Sequence, residues 1–476
     1  MKFFEVLSSE DLDGIHAATL EVLARTGMLI QDADARERLE AAGCGVRGER
    51  VTFPADLVAR AVESSPAEFT LCGRTPEHDC PLVPGRFYTL STTGSPFVID
   101  HETGERRHAL VKDVADLTRL VDALPNTHMA SPATPKDVEP EIVTPVRVAT
   151  MFRNTTKPLR VAVESGDEVR YSLKIAAAVH GGMEAMVSRP QLQISVSPLS
   201  PLTLSGDSTR ALMVAAAAGV PLGVIPAPIV GATGPMSIAG TLVQQNAEIL
   251  AGLVLAQVVN PGAPILYEPR PTVMDMRTGQ SIWGNPEVAL MSVATAQMAR
   301  YYKIPGSVTA FGSSARAMDD QNGFERALTL LPAAQSGANV LASLGAGDNV
   351  IHTSAELIVL DDEIMSWVTR FMRGIQVDED ALGVAAIHEA VMGEGGFLAL
   401  DHTRKFMRAS EVWTPRLSDR RNYSDWDREG RPTIQQHARA RVTEILATHV
   451  VEPLSDDIER EIDEVIAEAR ADLNAK

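Results

Sequence analysis

Residues 221–257 read PLGVIPAPIVGATGPMSIAGTLVQQNAEILAGLVLAQ. The opening run, 221–226, is apolar, contains the β-branched pair Val224-Ile225 and is bounded by prolines, so it predicts a short buried strand. From 235 to 259 apolar residues run at helical spacing, with Pro235 pre-setting the first turn. The intervening GATGP is a tight turn rather than a phosphate cradle. No GK[ST] follows it, it contains no GxGxxG, and Pro235 removes an amide donor that an anion would need.

The same strand-turn-helix unit recurs on both sides. Strands are predicted at 97–100, 128–133, 158–163, 191–197, 221–226, 264–268, 306–311 and 339–344. Helices are predicted at 112–124, 141–154, 167–180, 206–218, 235–259, 285–302, 320–336 and 354–372. Caps such as Ser165-Gly-Asp and Asn285-Pro286-Glu287 mark several starts. Parallel strands need crossovers, and eight such units predict an α/β fold, specifically a (β/α)8 TIM barrel; an open doubly wound sheet is the alternative. The barrel is expected over 81–375, after a helical N-terminal extension (1–80) opened by the capping run SSEDLD, and before a helical C-terminal extension (376–476). Chemistry is then expected on the loops after the strands.

Composition narrows the function. The 476-residue chain has 45% hydrophobic and 22% charged residues, as globular proteins do, and a net charge of −19, which argues against nucleic acid. Three cysteines without CxxC spacing predict neither a disulfide framework nor a thiolate zinc site, and fit a reducing cytoplasm. The N-terminus lacks signal-peptide character and no membrane-type apolar run is found, so no membrane association is expected. Asp361-Asp362-Glu363 is no metal site in this reading, because consecutive helical side chains diverge.

Several stretches together carry a resemblance: STTGSPFVIDHETGERR (91–107), SVSPLSPL (195–202), GATGPMSIAGTLVQQNAEILAGLVLAQ (231–257), NPGAPILYEPRPTVMDMRTGQ (260–280), IPGSVTAFGSSARAMDDQNGFE (304–325), AELIVLDDEI (355–364), HTRKFMR (402–408) and PRLSDRRNYSDW (415–426). With these the chain resembles the corrinoid-dependent trimethylamine methyltransferase family over nearly its whole length, in particular the branch without pyrrolysine that includes glycine betaine methyltransferase. The resemblance implies a TIM barrel. In the archetype a pyrrolysine lies on the loop similar to FGSSARAMDDQ, filled here by Ser313, Ser314, Ala315 and Arg316. This departure favours a quaternary amine over trimethylamine. The corrinoid is implied to arrive on a separate corrinoid-binding protein, since no DxHxxG motif to hold it occurs here. This chain is therefore expected to bind no cofactor, and to act as a homo-oligomer.

A quaternary ammonium needs no proton to leave, so the protein's main task is orientation, and an aromatic and carboxylate cup is expected. Tyr267 and Glu268 close the sixth strand, Phe311 the seventh, Trp283 precedes the sixth helix, and Phe97 and Tyr88 lie early. Glu268 reads equally as a site carboxylate or as the partner of a nearby arginine; large aromatics are mostly core. His352, Asp348 and Glu356 follow the eighth strand in a glycine-rich loop. Arg270 and Arg316, with Ser313 beside the latter, are candidates for a betaine carboxylate, or for pairing with neighbouring acids. Two rivals remain: a barrel lyase or hydrolase using Glu268 and His352 as acid and base, and a noncatalytic quaternary-amine binder.

Overall fold

The 221–257 stretch folds as the strand Leu222–Val224, a short strand Ile229–Val230 and the helix Ile238–Val259. The computed structural model describes residues 3–92, 94–131, 133–393 and 395–474; Pro132, inside the expected 128–133 strand, lies outside them. Leu222–Val224 pairs in parallel with Leu192–Val196 and with Ile265–Tyr267, and Leu192–Val196 with Leu159–Val163. A second parallel set joins Ser307–Thr309, Val340–Leu344 and Tyr88–Ser91. Parallel bridges Leu90–Met129, Ala130–Leu159 and Tyr267–Gly306 connect the two sets. The architecture is α/β, with parallel strands and crossover helices.

Those helices run Val111–Ala123, Val143–Asn154, Gly166–His180, Gly206–Ala218, Ile238–Val259, Pro286–Tyr301, Asp320–Gln335 and Ala355–Met372. Ser165 caps the third by accepting from the Glu168 amide. Ile238–Val259 is long and apolar enough to cross a membrane, yet 78% of its most apolar window is buried inside the protein.

The first expected strand is a correction. Phe97–Ile99 pairs antiparallel with Arg106–His108 and in parallel with His352–Ser354, while Tyr88–Ser91 takes the place beside Val340–Leu344. Asp100 causes this: its Oδ1 accepts from the amides of Glu102 and Thr103 at 3.0 Å, turning the chain back into a hairpin ahead of the expected helix, which runs Val111–Ala123.

The first 80 residues are also mixed rather than helical. Helices Ser9–Arg25, Ala33–Ala41 and Ala55–Ser64 alternate with three-residue strands, including the hairpin of Phe69–Leu71 and Cys80–Leu82. Ser8 and Asp11 form the anticipated capping box. The hairpin supplies Leu71, Cys80 and Leu82 to a buried apolar cluster with Leu90, Met129, Leu266, Val340 and Ala342. Each large side chain buried there contributes about 1.5–3 kcal/mol.

Beyond the last crossover, further helices follow, ending in Ile434–Thr448 and Asp456–Asn474. The last buries Ile462 and Ala469, and its charges reach neighbouring helices: Arg153 to Glu459 (2.6 Å) and Lys174 to Glu468 (2.6 Å).

Candidate functional site

Besides apolar residues, the parallel strands bury the polar side chains Arg160, Gln193, Ser195 and Ser307. Glu268, fully buried just past Ile265–Tyr267, is the hub. Its Oε2 accepts from Ser195 Oγ at 2.8 Å and Gln193 Nε2 at 2.9 Å, and its Oε1 from Arg270 Nη2 at 3.0 Å, with Arg160 Nε 3.6 Å away. Glu268 is thereby a shared partner of two arginines. Gly223 makes the room, because a Cβ there would stand 2.1 Å from Glu268 Oε2.

Arg270 is likewise occupied. Its Nη1 donates to three carbonyls and its Nη2 also to Ser307 Oγ at 2.7 Å. Tyr267 is carried the other way by strand alternation: its hydroxyl donates to Asn246 Oδ1 of the helix layer at 3.0 Å. It is not brought to Glu268's side of the sheet.

Four loops converge at the rim. Asp348 N–H donates to the Ala315 carbonyl and Asn349 N–H to the Ser313 carbonyl, both at 3.0 Å. Trp283 N–H donates to Ser314 Oγ and to Asn349 Oδ1, at 3.2 Å each. Asp348 receives Arg106 at 3.5 Å and the exposed Arg316 at 3.6 Å. Arg106 in turn lies 4.2 Å over the Phe97 ring, which stacks on His108. Ser313 Oγ is tied to Glu325 at 2.9 Å. Thus Phe97, Trp283, Ser313, Arg316, Asp348 and His352 form one neighbourhood. Phe311 is fully buried. A cavity of about 170 Å³ opens there, bounded by Arg316, Asn322, His352 and Glu356. Asp348, Asn349 and Val350 hold φ of 46°, 58° and 67°, a left-handed run at roughly 1–2 kcal/mol per residue that the loop contacts must offset.

His352 pairs in register with Phe97, and its Nδ1 finds no acceptor or donor among the described residues. Burial pulls its pKa down from 6.5 to about 4, with Asp348 opposing and Arg106 and Arg326 assisting. The unfolded chain therefore takes up a proton in that window which the folded chain refuses, so stability falls as pH drops from 6.5 toward 4. His352→Asn is expected to flatten this limb when denaturation midpoints are compared at the two ends; an unchanged slope would contradict it. His128, also pushed to about 4 by burial, titrates in both proteins.

The acidic run divides as its helix dictates. Asp361 pairs with Arg326 at 2.6 Å, Asp362 accepts from the Asn126 amide at 2.7 Å, and Glu363 accepts from the amides of Arg416, Leu417 and Ser418. Glu356 is held by Ser354 and Arg439.

Sequence reasoning missed the inner layer of Arg160, Gln193, Ser195 and Ser307. The signal was present in LQISV, which alternates polar with apolar residues, whereas parallel strands buried on both faces read as continuous apolar runs; LRVAV carries only the single Arg160.

A family model described as trimethylamine methyltransferase (MTTB) matches residues 1–474. The chain belongs to the trimethylamine methyltransferase family. It is 33% identical over 469 residues to the glycine betaine methyltransferase of Desulfitobacterium hafniense strain Y51, covering 98% of this chain and 97% of that one. It is 32% identical to a trimethylamine methyltransferase of Methanosarcina barkeri, covering 98% of this chain and 95% of that one. Among solved structures, the monomethylamine methyltransferase of Methanosarcina barkeri aligns over 99% of this chain and 96% of its own, with TM-score 0.48 and 12% identity. In this member of the methyltransferase family, the loops at one end of the parallel strands bring most of the expected site residues together.

Proposed function

We propose that the protein moves a methyl group from a quaternary amine of the glycine betaine kind to the Co(I) of a corrinoid carried by a separate protein. The observation that carries this reading is the near end-to-end match, at 33% identity, to a glycine betaine methyltransferase. In the step, the N–CH₃ bond breaks and its electron pair stays on nitrogen, leaving a neutral tertiary amine. The Co(I) electron pair forms the Co–C bond, and cobalt ends as Co(III). No proton moves, which suits a site where Glu268 is saturated by donors and His352 is held neutral by burial.

In this reading the parallel ladders and bridges form one (β/α)8 barrel, and the rim residues orient the donor beneath the corrinoid protein. Trp283 offers a ring face to the ammonium, and Phe97, stacked on His108, offers the face that Arg106 covers here once the guanidinium is displaced. The free, buried Cys44, Cys72 and Cys80 suit a reducing cytoplasm. Exposed Ile375, Val384 and Leu398 support a homo-oligomer that covers them.

The acid–base rival is disfavoured by one observation: among the described residues no hydrogen bond links Glu268 to His352 or gives them a common partner. Incubating the protein with cob(I)alamin and a panel of quaternary amines tests the proposal. A methyl-Co(III) spectrum with at least one betaine is expected; no methylation with any quaternary amine would overturn it.

A further inference from the structure

Two buried arginines carry donors that no acceptor among the described residues receives. Arg160, fully buried in Leu159–Val163, commits its Nε to Ser195 Oγ at 2.9 Å. Its Nη1 and Nη2 are sealed from solvent and have no acceptor among the described residues. Arg147, 4% exposed near the start of Val143–Asn154, commits only Nη1, to Thr134 Oγ1 at 3.3 Å, and its Nε and Nη2 are equally unpartnered. Ser131 Oγ, one residue past the Ala130 carbonyl that accepts the Arg160 amide, is unpartnered too.

Thr134, which receives Arg147, lies four residues past the Ala130 carbonyl that receives the Arg160 amide, and after burial the Arg160 charge is the next cause depressing the Arg147 pKa. The acids near them are spoken for. Glu268 is shared with Arg270, and Glu168 accepts from Thr144 Oγ1 and the Glu164 amide. Buried cationic donors without acceptors are rare in folded proteins, and the forked guanidinium matches the geometry of a carboxylate. The expected carboxylate partners fit less well, because Arg270 has both Nη atoms engaged and Arg316 is 72% exposed and paired with Asp348.

We propose that Arg147 and Arg160 form an anion subsite that receives the carboxylate of the methyl donor, so that the protein selects ammonium carboxylates over quaternary ammonium ions lacking a carboxylate. The inference rests on the quaternary-amine reading and names the residues that set its substrate class.

The test has a binding arm and a turnover arm. Calorimetry on the purified chain, without corrinoid, compares glycine betaine, tetramethylammonium and acetate. Arg147→Gln and Arg160→Gln are each expected to weaken glycine betaine about tenfold or more, leave tetramethylammonium unchanged and abolish competition by acetate. In methyl transfer to cob(I)alamin, KM for glycine betaine rises by a similar factor. Circular dichroism confirms folding, and Arg160→Lys, which keeps the charge and loses the fork, gives an intermediate effect if Arg160→Gln does not fold. Glycine betaine affinity within about twofold of wild type in folded variants of both arginines overturns the subsite, as does a wild type that binds neither glycine betaine nor acetate. A wild type that binds acetate through these arginines but transfers no methyl keeps the subsite and sinks the reaction. Unchanged KM with intact transfer does the reverse.

Discussion

Arg326→Met is expected to remove about 3–5 kcal/mol of folding stability, the usual effect of breaking a buried ion pair from one side. Both partners are fully buried: Arg326 Nη1 meets Asp361 Oδ2 at 2.6 Å, Nε reaches Asn322 Oδ1, and Nη2 reaches the Ala346 carbonyl. The same Asp361 oxygen accepts from the Gly345 amide, so the pair ties the helices Asp320–Gln335 and Ala355–Met372 to the loop after Val340–Leu344. Burial already lifts the Asp361 carboxyl to about 6 against the pull of Arg326. Without that cation the folded state favours the protonated acid more strongly. Its deficit should therefore shrink as pH falls from neutrality toward the ordinary carboxylate range. Urea midpoints at two pH values measure both effects. Arg326→Met combined with Asp361→Leu should recover much of the loss, since a matched apolar pair carries no uncompensated charge.

Glu268→Gln is the second large effect. The substitution keeps the shape but leaves Arg160 and Arg270 without their shared anion, and a loss of about 3–5 kcal/mol is expected on the same argument. Its kinetics separate two chemistries. With methyl transfer to a corrinoid, the folded variant keeps the pH profile of the wild type, because no proton passes through Glu268. With acid–base chemistry the limb belonging to Glu268 disappears and turnover falls by about 10²–10⁴. Single-turnover rates across pH, measured below the variant's melting temperature, distinguish them.

The helices were legible because a 3.6-residue pattern over ten or more residues is redundant: Gly206–Ala218 and Ile238–Val259 sit within a few residues of their sequence boundaries. Strands of three residues carry no such redundancy. Tyr88–Ser91 (YTLS) and Phe97–Ile99 (FVI) are both too short for their patterns to rank them, and the Asp100 turn, a local hydrogen-bonding choice, assigns the second to a rim hairpin. At the site, position after a strand correctly brought Arg316, Asp348 and His352 together, since loop convergence follows from parallel topology. Direction was harder. Tyr267 and Glu268 are adjacent, yet pleating sends one to the helix layer and the other inward. Arg160 went unnoticed because an arginine inside a strand is legible only once the strand's inward face is known.

The most direct test of methyl transfer follows both products of one reaction. With glycine betaine labelled in its N-methyl groups and a stoichiometric Co(I) corrinoid protein, the account predicts labelled methyl-Co(III) and dimethylglycine appearing in equal amounts and at equal rates. Dimethylglycine formed without methylated cobalt, or no demethylated amine from any quaternary ammonium donor, would contradict it.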